Sequence, residues 1–383
     1  MVLASWFAGA WFMGSEEYAV IAMLRTPRLV DWRMRFWEFR KLAQAAGYVI
    51  VDEVVQYKPH PLSATLFGRG KIDEIRSRAE EKGADTLIVW NELKSIQKLN
   101  LERFTGLRVI DRYELVLEIF QKNAGDKLAK LQIELAFLEK LIPYFKLREK
   151  LIHGPRDKPF FRAGGEYGWV PKVAWLRKRR SRILEEIERL LREKIAQIRR
   201  RKALGFRIAT IVGYYNAGKT SLFNALTGEE KLVSPQPFTT LSSKYSRLRG
   251  AEKILLVDTI GFVVDLNPKI ISSFRINLED MLEADMLLWV VDISENSDIL
   301  EMRVRSTVEI LDDNGLLEKP IVIAANKIDL LTENNLGERI GFLRKLILRY
   351  VGSEYEIVPC SAEKGIGLEN LIKVLINELG LTS

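Results

Sequence analysis

Apolar residues in the first third of the chain come as short runs separated by amphipathic stretches. YAVIAML from Tyr18, YVIVDEVVQ from Tyr48, TLIVW from Thr86 and RVI from Arg108 are strand-like, being brief and rich in β-branched residues. Arg28 to Ala46 and Lys71 to Lys82 read as helices, and Gly47, Gly83 and Gly106 stand where helices should stop. The alternation predicts a small α/β domain with a mostly parallel sheet over residues 18–123.

From Leu128 the period changes. Leu128, Leu131, Leu135, Leu138, Ile142 and Phe145 recur at steps of three and four, a heptad seam. A second helical stretch carries Leu176, Arg180, Ile183, Ile187, Leu190 and Lys194, with Leu184, Leu191, Ile195 and Ile198 widening its apolar face. Two such helices pair antiparallel, so residues 124–205 read as a coiled-coil hairpin. Its tip is His153 to Pro171, a Gly-, Pro- and aromatic-rich segment that cannot continue either helix.

Beyond Lys202 strands return. FRIATIVG, KILLVDTIG, DMLLWVVDI, PIVIAANK and YEIVPCSA are each followed by a helical or loop segment, which predicts a doubly wound α/β domain over residues 206–383.

Composition changes this picture in four places. A length of 383 residues with 47% hydrophobic and 29% charged residues fits two or three soluble globular domains. One cysteine, Cys360, and two histidines, His60 and His153, exclude an internal disulfide and a Cys/His metal cluster, as a reducing cytoplasm would allow. The apolar opening Met1 to Met13, within a 1–17 extension, is shorter than the roughly 18 residues a membrane span needs, so no integral membrane role is expected. The net charge of +8 is uneven: Lys172 to Lys202 holds thirteen Lys/Arg against four Glu. Either a polyanionic partner or a solvated helix face accounts for that surplus.

The chemistry lies in the last domain. The strand FRIATIV runs into Gly213-Tyr214-Tyr215-Asn216-Ala217-Gly218-Lys219-Thr220, with Ser221 opening the helix SLFNAL. This is a phosphate-binding loop in strand–loop–helix context. Backbone N–H groups and the helix N-terminus surround the phosphates, Lys219 reaches the β- and γ-phosphates, and the Thr220 hydroxyl is a Mg²⁺ ligand. Asp258 of the DTIGF run follows thirty-nine residues after Lys219 at a strand end and is the second metal residue, while the Gly261 N–H approaches the γ-phosphate. Asn326-Lys327-Ile328-Asp329 sets the base: the Asp329 carboxylate accepts from guanine N1–H and its exocyclic amine, a donor pair adenine lacks. Asn326 braces the loop, Lys327 lies along the base, and Ser361 and Ala362 supply a second base-facing loop. Between the first two motifs, Phe238, Thr239 and Thr240 sit where a loop covers the nucleotide, and Thr240, or failing it Thr239, completes the Mg²⁺ shell. Lys219, Thr240 and Gly261 are the expected catalytic groups. In the first domain Gly68-Arg69-Gly70-Lys71 reads as an anion loop or, preferably, as a glycine turn with a surface lysine.

Taken together these residues resemble the HflX family of ribosome-binding GTPases. The likeness extends past the nucleotide motifs to GYYNAGK, DTIGF, SSFRINLEDMLEADMLLWVVDIS, LFGRGKIDEI, VIDRYELVLEIF and KLQIELAFLEKLIP, and covers Tyr18 to the C-terminus. It implies an N-terminal α/β domain with a helical hairpin, a following GTPase domain, GTP and GDP as ligands, and association with the large ribosomal subunit and its rRNA; a monomer is expected. Departures are Tyr215 in place of the commoner threonine, the Thr220-Ser221 order, and Pro235 and Pro237 in the switch loop. The chain ends close behind the GTPase fold, and no further C-terminal domain is expected.

Three expectations complete the reading. Phe262 stands where many small GTPases carry a water-orienting glutamine, so intrinsic hydrolysis should be slow. Asn216 either ligates K⁺ beside the phosphates or only stabilises the turn. On the hairpin, Arg177, Lys178, Arg179 and Arg182 should face solvent, with Arg180 nearer the seam. Phe160, Phe161, Tyr167 and Trp169 either stack on RNA bases or pack internally. A rival to the GTPase switch is an RNA-binding assembly module in which hydrolysis is incidental. A third possibility, an ATP-driven RNA remodelling enzyme, is opposed by Asn326 and Asp329.

Overall fold

The computed structural model of the chain describes residues 17–29, 31–153, 170–229, 244–259, 261–262 and 275–381. Pro235, Pro237, Phe238, Thr239, Thr240 and the hairpin-tip aromatics lie outside these, as do residues 1–16. Contacts divide the chain into two units, Met1–Ile119 with Phe137–Arg177, and Phe120–Ala136 with Lys178–Ser383.

The first unit is built on four parallel strands, β1 (Glu17–Arg25), β2 (Tyr48–Tyr57), β3 (Thr86–Val89) and β4 (Arg108–Asp111), ordered β2-β1-β3-β4. Helices α1 (Trp32–Ala45), α2 (Arg69–Lys82), α3 (Ser95–Thr105) and α4 (Arg112–Asn123) alternate with them. Parallel neighbours require such crossovers, so the alternating sequence pattern and the sheet have one cause. Val20, Ala22, Leu24, Phe67, Leu87, Leu101 and Val109 form a core cluster. Helix α1 starts at Trp32 rather than Arg28, after Pro27 and with Asp31 at its N-cap; α3 fills the gap before RVI and stops at Gly106, the helix stop the sequence marked without giving the helix a range.

Buried polar groups of this unit are closed on one another. Arg108 bonds Glu118 at 2.6 Å and Glu17 at 3.0 Å, and the Tyr48 hydroxyl donates to Glu118 at 2.7 Å. At the end of β4, Asp111 accepts from the Leu93 N–H at 3.0 Å, the Glu114 N–H at 2.9 Å and Lys140 Nζ at 2.8 Å. Lys140 belongs to α5 (Lys127–His153), the first long helix.

Among the described residues the second unit carries six strands: β5 (Arg207–Gly213), β6 (Lys244–Leu248), β7 (Ala251–Asp258), β8 (Met286–Asp292), β9 (Ile321–Asn326) and β10 (Glu356–Pro359). Their order is β10-β9-β8-β5-β7-β6, all parallel except β6, which pairs antiparallel with β7 at the edge. The helices are α6 (Val170–Ala203), α7 (Lys219–Thr227), α8 (Arg275–Leu282), α9 (Ser297–Asp313), α10 (Glu333–Val351) and α11 (Leu368–Glu378). The central strands are buried along nearly their whole length, as an apolar parallel strand must be when both faces are covered.

Within this unit the part of α5 up to Ala136 and the part of α6 from Lys178 run antiparallel, with Lys127 bonding Glu186 at 2.7 Å and Arg179 gripping both oxygens of Glu134 at 2.7 and 2.8 Å. Ile183, Ile187, Leu191 and Ile198 of α6 are buried as the pattern requires. The α5 face is broader than a strict seam. Ala129, Ile133, Ala136, Phe137 and Leu141 are buried beside Leu135, Leu138 and Phe145, while Leu128, Leu131 and Ile142 are only half-buried.

Charge on α6 also departs from expectation. Arg177, Lys178 and Arg182 are exposed, but Arg179 is committed to Glu134, because two forks of matched geometry bind bidentately. Lys194 bonds Asp280 of α8 at 2.5 Å, Arg199 lies 3.4 Å from Glu283, and Lys202 3.1 Å from Asp285. Much of the basic surplus is therefore answered inside the unit. The Asp280 carboxylate also accepts from the Tyr245 hydroxyl of β6, and its backbone carbonyl accepts from Thr210 Oγ1 of β5 at 2.9 Å. Among the described residues, no helix is long and apolar enough to cross a membrane.

Candidate nucleotide site

Strand β5 lies between β7 and β8, and its carboxyl end opens into the loop 213–218, beyond which α7 begins at Lys219. A parallel sheet delivers loops from neighbouring strands to this one edge, the usual ligand position in such folds. Asp258 ends β7 and Asn326 ends β9, so three sequence motifs distant along the chain meet there.

The loop is braced from below. Asn326 Nδ2 donates to the Ala217 carbonyl at 2.9 Å, and Asn326 Oδ1 accepts from the Ala362 N–H at 3.0 Å. One buried amide thus ties the phosphate loop to the loop after β10. Gly218 makes this possible: its φ is +92°, and a Cβ there would stand 2.2 Å from Asn326 Nδ2. Ser361 is fully buried with its hydroxyl accepting from the Lys364 N–H at 3.1 Å, which shapes the turn presenting Ala362. Burial pushes the Cys360 thiol up to about 12, so this loop carries no thiolate at neutral pH.

Lys219 is buried and its ammonium donates to the Tyr214 carbonyl at 2.7 Å. Burial lowers its pKa to about 8, opposed by the charge of Asp258 and reinforced by those of Arg303 and Lys327. The Thr220 hydroxyl donates to Asp258 Oδ2 at 3.2 Å. A hydroxyl and a carboxylate side by side are hard oxygen donors, and the pair fits Mg²⁺. Thr259 Oγ1 donates to the Ile211 carbonyl at 2.6 Å, fastening the DTIG turn to β5.

Beyond that turn the chain runs along the phosphate loop. Phe262 N–H donates to the Gly213 carbonyl at 3.0 Å and the Tyr215 N–H to the Phe262 carbonyl at 2.8 Å. Gly261 fits so closely that a Cβ would come within 2.8 Å of Lys219 Nζ. The Phe262 ring is buried, so at this position the chain offers an apolar side chain and no group able to orient water.

Lys327 adopts a left-handed φ of 67° and its ammonium lies 2.7 Å from Asp292 Oδ2. Asp329 sits half-buried in the 3₁₀ turn Ile328–Leu330, and Asn216 is exposed with a φ of 60°. The structure thus brings together Gly213 to Ser221, Asp258, Gly261, Asn326, Lys327, Asp329, Ser361 and Ala362. In the other unit, Lys71 pairs with Glu74 at 2.5 Å and the Gly68 N–H donates to Gln56 at 2.9 Å, the arrangement of a glycine turn with a surface lysine.

Two residues of the site escaped the sequence reading. Asp292, at the end of β8, holds Lys327 and accepts from Ser294; an aspartate closing an apolar strand was the available signal. Arg303, on α9, stacks on the loop tyrosines, and its signal was a lone arginine among the buried positions of that helix.

Comparison with known proteins agrees with this geometry. Residues 33–121 match the GTP-binding GTPase N-terminal family and residues 208–327 the 50S ribosome-binding GTPase family. The chain is 36% identical over 349 residues to GTPase HflX of Thermofilum pendens, covering 89% of this chain and 79% of that protein. It is 35% identical over 343 residues to GTPase HflX of Thermococcus kodakarensis, covering 89% and 74%. The crystal structure of SsGBP in complex with GDP superposes with a TM-score of 0.52 at 26% identity, covering 95% of this chain and 98% of that one. On these similarities, with the phosphate loop and guanine motif at one sheet edge, the chain belongs to the HflX family of GTPases.

Proposed function

We propose that this protein binds GTP with Mg²⁺, hydrolyses it slowly by itself, and uses the nucleotide's state to control its association with the large ribosomal subunit. The observation that carries the reading is the Asn326 brace, which joins the phosphate loop to the base-recognition turn. In it, Asp329 reads guanine, the loop N–H groups and Lys219 receive the phosphates, and Thr220, Asp258 and Thr240 hold the metal. Bound Mg²⁺ would neutralise charge on the transferred phosphoryl group. Gly261 offers its N–H to the γ-phosphate, and Lys219 stabilises the charge that develops there. Phe262 orients no water, so a partner or an ordered loop must do so, which accounts for slow turnover in isolation. Asn216, exposed in the loop, adds a side-chain carbonyl that can hold K⁺ beside the phosphates; turnover compared in K⁺ and Na⁺ tests that part.

The ribosomal partner is supported by the family match of residues 208–327 and by the exposed Arg177, Lys178 and Arg182. The test is GTP turnover titrated with purified large subunits, with and without EDTA-chelated Mg²⁺. Turnover should be slow alone, rise with subunits and vanish on chelation. Turnover indifferent to subunits would leave an RNA-binding module with incidental hydrolysis.

A further inference from the structure

The phosphate loop carries two adjacent tyrosines, and neither the base-reading nor the metal-binding role uses them. Tyr214 is 3% exposed, and its ring centroid lies 5.1 Å from that of Tyr215. Behind them stands Arg303, which is 8% exposed on α9. Its guanidinium carbon is 4.8 Å from the Tyr214 ring centroid and 5.5 Å from that of Tyr215. Its Nη1 donates to Glu295 Oε1 at 2.9 Å, in the loop after β8. A narrow cavity lined by Tyr214, Ala217, Trp289, Asp292, Arg303 and Thr307 lies in the same place.

Burying a guanidinium here is costly unless the site repays it, and an aliphatic side chain would pack α9 as well. The repayment is specific. A planar cation attracts two aromatic faces, more strongly where water is excluded, and Glu295 fixes the plane. The same two residues are also held by their backbones: the Tyr214 carbonyl accepts from Lys219 and the Tyr215 N–H donates to Phe262. Side chains gripped behind and peptides gripped in front leave the loop little rotational freedom. Its N–H groups and Lys219 are then oriented before a phosphate arrives, so binding does not have to supply that ordering.

We propose that Arg303 is a positioning residue for phosphate recognition: clamped by Glu295, it stacks on Tyr214 and Tyr215 and holds the loop and Lys219 in the orientation that receives the β-phosphate of a guanine nucleotide. The proposal rests on the GTP-binding role of the loop and adds to it a reason for the tyrosine pair. Tyr215 and Arg303 act as one device.

The test measures GTP, GDP and GMP affinities of the full chain by competition titration for Arg303→Met, Arg303→Lys, Tyr215→Thr and the double variant Arg303→Met/Tyr215→Thr. Arg303→Met should weaken GTP and GDP about thirtyfold, the worth of a desolvated cation–π contact, and leave GMP almost unchanged. Arg303→Lys keeps the charge without the planar stack and should fall between Met and the parent. Tyr215→Thr should weaken GDP on its own, yet add little in the Arg303→Met background, because the stack is already lost. Should Arg303→Met not fold, the same cycle is run with Arg303→Lys. Three results would overturn the proposal: parental GDP affinity in a folded Arg303 variant, equal loss of GDP and GMP affinity, or additive effects of the Arg303 and Tyr215 substitutions. GTP binding surviving in all variants while GDP over GMP preference persists would sink the Arg303 role and leave the GTPase assignment intact.

Discussion

The two units share a design and differ at their strand ends. Each is a parallel sheet wound with helices, and each has a carboxylate closing a strand at its carboxyl edge. In the first unit Asp111 is consumed by the Leu93 and Glu114 amides and by Lys140, and Asn91 is held by both the N–H and the carbonyl of Leu24. In the second, Asp258 meets the Thr220 hydroxyl, while Asn216, Gly218 and Lys327 hold left-handed backbone in the loops. Architecture is therefore silent about activity here; loop conformation and the direction of side chains decide it.

The largest expected effect comes from the base. Asp329→Asn should cut GTP affinity by about a thousandfold or more and favour xanthosine triphosphate, since a site built around donors rejects what lacks them. Competition binding decides it, and unchanged guanine preference would remove Asp329 from the site. Next is Gly218→Ala. Its Cβ would displace the Asn326 amide, so nucleotide affinity should fall by at least about tenfold with strain added by the left-handed φ. Full affinity in that variant would mean the Asn326 brace is dispensable.

Paired substitutions sharpen the contrast between units. Asp280→Asn strands the buried Lys194 and should destabilise the protein by about 3 kcal/mol. Lys140→Met strands Asp111 in the first unit and should cost a similar amount, about 3 kcal/mol, while leaving GTP affinity at the parental value. Denaturant melts with GTP titrations read both; GTP affinity lost on Lys140→Met would place a nucleotide function in the first unit too. The smallest effect on the free protein is expected for Arg177→Glu/Lys178→Glu/Arg182→Glu. GTP affinity should hold, while binding to ribosomal particles weakens and loses salt dependence. Arg179 is left out because Glu134 already neutralises it.

Much of this was legible in the sequence, for identifiable reasons. Glycine spacing and strand context marked the loop at 213–220, and apolar runs located every strand except β6. That strand, KYSRL, is short, half-charged and at an edge, and it exists through pairing with β7, which local pattern does not reveal. The basic surplus on α6 misled for a similar reason. The acids that answer Lys194, Arg199 and Lys202 are Asp280, Glu283 and Asp285, more than eighty residues on, and a window count does not see them. Arg303 was hidden because its partners are two tyrosines on another element.

Control of the ribosomal partner by nucleotide state is read out by pelleting the full chain with purified large subunits. The chain should co-sediment with a non-hydrolysable GTP analogue and Mg²⁺, and stay largely in the supernatant with GDP or without nucleotide. Equal co-sedimentation in all three states would mean that nucleotide state does not govern the association.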